Sequence, residues 1–374
     1  MSAISSVGVP KEVKNAEGRV AVTPDGVREL SRHGARVHIE SGAGEGASIP
    51  DEDYRQAGAT IVSSASEAWD QQLVIKVKEP QESEFGFLHK DLTLCTYLHL
   101  AAYPKVAEEI VKAKTRSFAY ETVQARDGSL PLLAPMSEIA GRLAPQMGAQ
   151  FLERHKGGRG VLLGGASGVA PARVVVIGAG TVGWNAAWIA AGMEATVTLF
   201  DKNIERLRQL DLIRKGRTTT ATVNSGAIER ALRDADLVIG AVLVPGGRAP
   251  IVVTEEMVST MKKGAVIVDV AVDQGGCIAT TKETSHSNPV YVQHDVVHYA
   301  VGNMPAAVPY TATYALTNAT LPYLSDIVRL GLSAAAKHDA GLQHGIVAID
   351  GNITHQTIAN ELSLPFVDVA TALA

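Results

Sequence analysis

The chain has 374 residues, a net charge of -5, 46% hydrophobic residues and 20% charged residues. That length exceeds one ordinary domain and the composition suits a large apolar core, so two globular domains are expected. The weak acidity, without a long Lys/Arg cluster, gives no electrostatic footprint for nucleic acid or an anionic membrane, and no uncharged apolar run is long enough to span a bilayer.

The two cysteines, Cys95 and Cys277, make no CxxC pair and no disulfide framework, which suits a reducing compartment. The opening "MSAISSVGVPKE" lacks the basic start and apolar run of a secretory signal, so a cytoplasmic location is expected.

In the first third, "SVGVP", "ARVHIES", "ATIVS", "LVIKVKEP", "LTLCTYLHL" and "RSFAYETV" read as strands, and "PDGVRELSRHG" and "YPKVAEEIVKAK" as amphipathic helices. The alternation points to a parallel sheet with crossovers. "MSEIAGRLAPQMGAQFLERH" follows as a long helix that Pro145 should kink. The glycine-rich "KGGRGVLLGGASGVAPA" reads as a loop and a domain junction. A second series then begins, with strands "RVVVIGAG", "ATVTLFD", "ADLVIGAV", "GAVIVDVA" and "PVYVQH". Their Val/Ile/Ala-rich runs suit parallel strands covered on both faces. Helices are predicted at "TVGWNAAWIAAGM", "AIERALRDA" and "TEEMVSTMKK". After residue 305 the pattern is helical to near the end, and this tail is expected to pack back on the first domain. The fold class expected is α/β, with two Rossmann-like doubly wound domains. The substrate domain takes 1–132 plus 306–374, around a central dinucleotide-binding domain, 133–305.

Within "VVVIGAGTVGWNAA", Gly178, Gly180 and Gly183 form GxGxxG between a strand and a helix, and the next strand ends in Asp201. That acid lies near the ~20-residue spacing expected of a ribose ligand. Gly178 allows the tight turn, Gly180 lets the backbone approach a pyrophosphate, and Gly183 lets helix pack on strand. Asp201 favours NAD over NADP because a carboxylate repels a 2′-phosphate, although Lys202 follows it.

Four charged groups stand at strand ends or turns, where open parallel sheets bind ligands: Arg19, Lys78, His99 and Asp273. Oxidising a small 2-amino or 2-hydroxy acid needs a cation for the carboxylate, a donor for the oxygen that gains charge, and an acid/base near neutrality. Arg, Lys and His/Asp supply that set. Lys76 competes with Lys78 on the same strand face, His99 also fits a buried core histidine, and Asp273 also fits a turn cap. "HDVVH" (294–298) has the spacing of a zinc-protease motif but has Asp for Glu and strand-forming valines, so a loop near the cofactor is expected there and no metal site.

The chain resembles the bacterial L-alanine dehydrogenase family over essentially its whole length. The likeness rests on "PKEVKNAEGRVAVTP", "ESGAGEGA", "LVIKVKEP", "YLHLAA", "AYETVQ", "LPLLAPMSEIAGR", "VVVIGAGTVG", "VDVAVDQGGC", "GNMPAAVP" and "TYALTNATLPY". The resemblance implies NAD-dependent, reversible oxidative deamination of L-alanine to pyruvate and ammonia. It implies Arg19 and Lys78 as substrate ligands, His99 and Asp273 as the acid/base pair, and Ser137, Asp201, Gln274, Asn303 and Met304 around the cofactor. It puts Glu121 near the substrate and implies a homohexamer. The soluble NAD-binding component of proton-translocating transhydrogenase shares much of this pattern, but its corresponding segments lack the histidine and the aspartate that "YLHLAA" and "VAVDQGG" keep here. A non-catalytic NAD sensor is the other alternative, and the full Arg/Lys/His/Asp set argues against it.

Overall fold

The computed structural model describes residues 3–213, 218–242, 244 and 248–373. Fifteen strands lie among them. They are β1 (Ser6–Val9), β2 (Arg36–Glu40), β3 (Thr60–Val62), β4 (Leu73–Ile75), β5 (Thr93–Thr96), β6 (Arg116–Ala119), β7 (Arg173–Ile177), β8 (Thr196–Asp201), β9 (Thr218–Thr222), β10 (Leu237–Gly240), β11 (Val266–Asp269), β12 (Val290–Gln293), β13 (Val296–Tyr299), β14 (Ile346–Ile349) and β15 (Asn352–Ile353). Backbone contacts divide the chain into two units. The first holds Met1–Met136 and Ala306–Ala374, the second Ser137–Val244 and Arg248–Pro305.

In the first unit the sheet order is β15-β14-β6-β5-β4-β1-β2-β3, and β1 to β6 run parallel. The fully buried runs of β1, β4 and β5 reflect helices on both faces of such a sheet. Thr23 caps the helix Pro24–Arg32 by accepting from the Gly26 N–H, with Pro at its start. Val74, Leu94, Leu98 and Ile110 form one core cluster with Val347 and Ile353 of the tail. The tail therefore does return to the first sheet, but not as helix alone. β14 pairs antiparallel with β6 and with β15. The turn between them is Asp350-Gly351, both at positive φ, as a two-residue hairpin of the primed type requires.

In the second unit the order is β12-β13-β11-β10-β7-β8-β9, parallel except for β12. Both sheets thus share the 3-2-1-4-5 core order, with the strand order reversing between β1 and β4 in one and between β7 and β10 in the other. The core of the second unit packs Val175, Ile177, Val238, Ile267 and Ile278 together. Two local readings change. The Thr-rich edge strand β9 was not expected, and "HDVVH" is a hairpin turn entering β13 rather than a loop. The long helix is there, Ala134–Leu152 with Pro145 inside it. The glycine-rich stretch 156–172 lies inside the second unit.

Candidate functional site

In the first unit the candidate groups follow the carboxyl ends of neighbouring strands. Arg19 lies in the segment after β1 and Lys78 in the segment after β4, on either side of the point where strand order reverses; His99 follows β5 and Glu121 follows β6. Open α/β sheets bind ligands at such points.

Arg19 is 2% exposed and is held edge-on by Glu17. Its Nε donates to Glu17 Oε1 at 2.6 Å, its Nη2 donates to Glu17 Oε2, and its Nη1 meets Met136 Sδ at 3.1 Å. Burial works against the Arg19 charge, and the Glu17 carboxylate more than offsets it, so the guanidinium pKa stays above its usual value. Glu17 was not foreseen; its place two residues before Arg19 in "NAEGRV" was the available signal.

The two rival lysines separate clearly. Lys76 Nζ lies between Glu12 Oε2 at 3.0 Å and Glu84 Oε1 at 2.8 Å, with no exposure. Lys78 Nζ faces Glu79 Oε2 at 3.6 Å, and Glu79 is also paired with Lys14 at 2.6 Å. Glu12 fixes the backbone between the lysines, its Oε1 accepting from Val77 N–H at 2.6 Å and Lys78 N–H at 3.4 Å. Burial pushes the Glu79 carboxyl up, but Lys78 and Lys14 outweigh it and hold the pKa below the usual range.

His99 has φ +45°, a left-handed conformation that a non-glycine residue adopts only under outside constraint. Glu121 supplies that constraint. Its carboxylate accepts from Leu98 N–H at 3.2 Å and His99 N–H at 2.6 Å, and lies 4.0 Å from His99 Nδ1. The imidazole stacks on Tyr97, ring centres 5.9 Å apart.

In the second unit, Gly178 has φ +100°, and a Cβ on Gly183 would lie 1.7 Å from Gly178 O. A Cβ on Gly180 meets nothing within 4 Å, and Gly180 opens the helix Thr181–Gly192 with no side-chain cap. Backbone N–H groups at such an N-terminus suit a pyrophosphate. At the end of β8, Asp201 accepts from Ala179 N–H at 2.6 Å and Asn203 N–H at 2.7 Å. Each carboxylate oxygen has a further lone pair, as ribose hydroxyl donors need, so the residues fit a dinucleotide. Arg206, 3.6 Å from Asp201, is a cation the sequence reading did not single out.

Asp273 lies in the short 3-10 helix Val270–Gln274 beyond β11, and its carboxylate accepts from Asn303 N–H at 3.1 and 3.3 Å. Asn303 has φ +63°, its carbonyl 3.1 Å from His286 Nε2, and Met304 beside it is buried. Ser137 is half-buried in the helix Ala134–Leu152. The side chain of Gln274 lies outside the described residues. In "HDVVH" the two imidazoles part company. His294 pairs with Glu255 at 2.7 Å, whereas His298 is buried between Thr280 Oγ1 and Val296 O.

Family models divide the chain likewise: alanine dehydrogenase/PNT, N-terminal domain, matches residues 8–140, and alanine dehydrogenase/PNT, C-terminal domain, residues 144–356. An alanine dehydrogenase of Mycolicibacterium smegmatis is 53% identical over 98% of this chain and 100% of its own. A solved L-alanine dehydrogenase superposes with a TM-score of 0.89 at 49% identity, covering 99% of this chain and 100% of that one. A transhydrogenase from Sinorhizobium meliloti shares the fold, with a TM-score of 0.76 at 24% identity over 94% of this chain and 99% of its own. The chain belongs to the alanine dehydrogenase/PNT family of oxidoreductases.

Proposed function

We propose that this protein is an NAD-dependent alanine dehydrogenase, which interconverts L-alanine with pyruvate and ammonia. The observation that carries this reading is the near full-length likeness to relatives named alanine dehydrogenase. The retained Arg19, Lys78, His99 and Asp273 support it. The substrate domain is assigned to 1–132 plus 306–374 and the cofactor domain to 133–305.

Arg19 and Lys78 bind the substrate carboxylate and the oxygen of the keto acid, a task that suits a planar fork and a point charge respectively. Gly180 would let the backbone approach the cofactor's pyrophosphate, with Gly178 shaping the turn and Gly183 packing helix on strand; Asp201 would hold the ribose, with Ser137, Gln274, Asn303 and Met304 around the remainder. When bound, the nicotinamide supplies a hydride acceptor for the substrate α-hydrogen. His99 and Asp273 then move protons as water adds to the substrate iminium and ammonia departs. Glu121 keeps the His99 backbone in its strained turn. A cytoplasmic homohexamer belongs to the same reading.

An absorbance assay of NADH formation against a panel of amino acids tests it. L-alanine should be the preferred substrate, and NAD binding without turnover would reject this enzyme in favour of a sensor or a transhydrogenase component. His99→Ala should lower kcat by ~10²–10⁴-fold with NADH affinity retained; near-normal turnover would remove His99 from the acid/base pair.

A further inference from the structure

Asp269 takes no part in the chemistry proposed above, and it is 1% exposed. It ends β11, four residues before Asp273. A carboxylate buried there is costly unless donors surround it, and they do. Oδ2 accepts from Cys277 N–H at 3.0 Å, Ile278 N–H at 3.3 Å and Thr281 Oγ1–H at 2.7 Å. Oδ1 accepts from Ala271 N–H at 3.1 Å and faces Cys277 Sγ at 3.6 Å. The surrounding backbone makes room for it. A Cβ on Gly240, its register partner on β10, would lie 2.8 Å from Oδ1, and one on Gly276 would lie 2.9 Å from Oδ2.

These contacts join the start of a loop to its end. The chain leaves β11, makes the turn Val270–Gln274, passes Gly275 and Gly276 at φ +91° and +77°, and comes back to the same carboxylate at 277–281. Asp273 sits on the arc so closed. We propose that Asp269 is a positioning residue for the reaction, fixing the loop that presents Asp273. The proposal rests on the reading of Asp273 as a proton-transfer group. The same arrangement stands behind His99, whose backbone N–H is held by the buried carboxylate of Glu121.

Asp269→Asn tests it in the full-length enzyme. The amide replaces one acceptor oxygen by an N–H₂ group, which points donors at donors. Turnover should fall by about 10²-fold, the cost of a small misplacement, while NADH affinity by fluorescence titration stays near that of the parent. The decisive readout is coupling. Asp269→Asn added to Asp273→Asn should cost nothing further, because groups that act as a unit are non-additive. An equal loss in both backgrounds, or unchanged turnover in the single variant, overturns the proposal. Should Asp273→Asn alone keep normal turnover, the proton-transfer reading of Asp273 fails and the positioning proposal falls with it, an outcome distinct from a loss confined to Asp269. If Asp269→Asn fails to fold, Thr281→Val removes one donor and keeps the shape. It should lower kcat several-fold only where Asp273 is present, and unchanged kcat overturns the proposal.

Discussion

Two lysines separated by one residue, Lys76 and Lys78, sit in different surroundings. Burial opposes the Lys76 charge, but Glu12 and Glu84 outweigh it and hold the ammonium pKa above its usual value. Removing that ammonium leaves two carboxylates buried together, which costs far more than the pair itself contributes. Lys76→Met should therefore destabilise the fold by about 3–5 kcal/mol, seen as an earlier denaturation midpoint. Lys78→Met should shift the midpoint less, because Lys14 still pairs with Glu79, and should raise KM for L-alanine. The reverse pattern would exchange the two roles. Strand position alone could not separate these lysines, because alternation sets them on one strand face; the family resemblance was what pointed to Lys78. What separates them is a partner 64 residues away and another 8 away. Asp269 carries no functional signal in the sequence: an acid closing the run "VIVD" suits a buried carboxylate with donors, yet which donors depends on the loop's return.

The turn between β7 and the helix Thr181–Gly192 separates packing from binding by glycine. Gly183 has no space for a side chain, since its Cβ would meet Gly178 O at 1.7 Å, while Gly180 faces open space. Gly183→Ala should force the helix off the strand and destabilise by about 1–3 kcal/mol or more, with cofactor affinity lost alongside. Gly180→Val should melt close to the parent and lose NADH affinity, because the backbone can no longer approach the pyrophosphate. Equal NADH affinity in Gly180→Val would reject this turn as the phosphate cradle. These glycines were legible because strand, spacing and helix all agree locally. Hairpins were less so. Asp350-Gly351 is a strong turn signal, yet the helical pattern before it obscured the short β14 and β15. Between β12 and β13 the two positive-φ positions are filled by His294 and Asp295, at +54° and +59°, so no glycine marks the turn. β9 is built of threonines at a sheet edge, where no apolar run announces a strand.

At the scale of the molecule, one device recurs: each sheet has the same core order, and each gathers its chemical groups at the carboxyl ends of its strands. Each unit also holds a desolvated histidine, half-buried His355 in the first and buried His298 in the second, and burial holds both pKa values below the usual 6.5. His344 adds to the effect at His355, where Glu121 opposes it; at His298 the Val296 carbonyl opposes burial, while His294 and Lys282 reinforce it. The sign follows from proton counting. Between the unfolded value of 6.5 and the lower folded value, the unfolded chain binds protons that the native chain does not, so stability falls as pH falls through that window. Each histidine contributes a slope of at most about 1.4 kcal/mol per pH unit there. Carboxylates with depressed pKa, such as Glu79, lose their contribution only below the usual value of 4.5, so the two effects separate on the pH axis. His298→Asn has no proton to gain in that range, and its amide can still donate a hydrogen bond. Thermal melts between pH 7.5 and 5.5 should therefore show a smaller fall in Tm for His298→Asn than for the parent. An identical fall in the two proteins would remove His298 from the acid sensitivity of the fold.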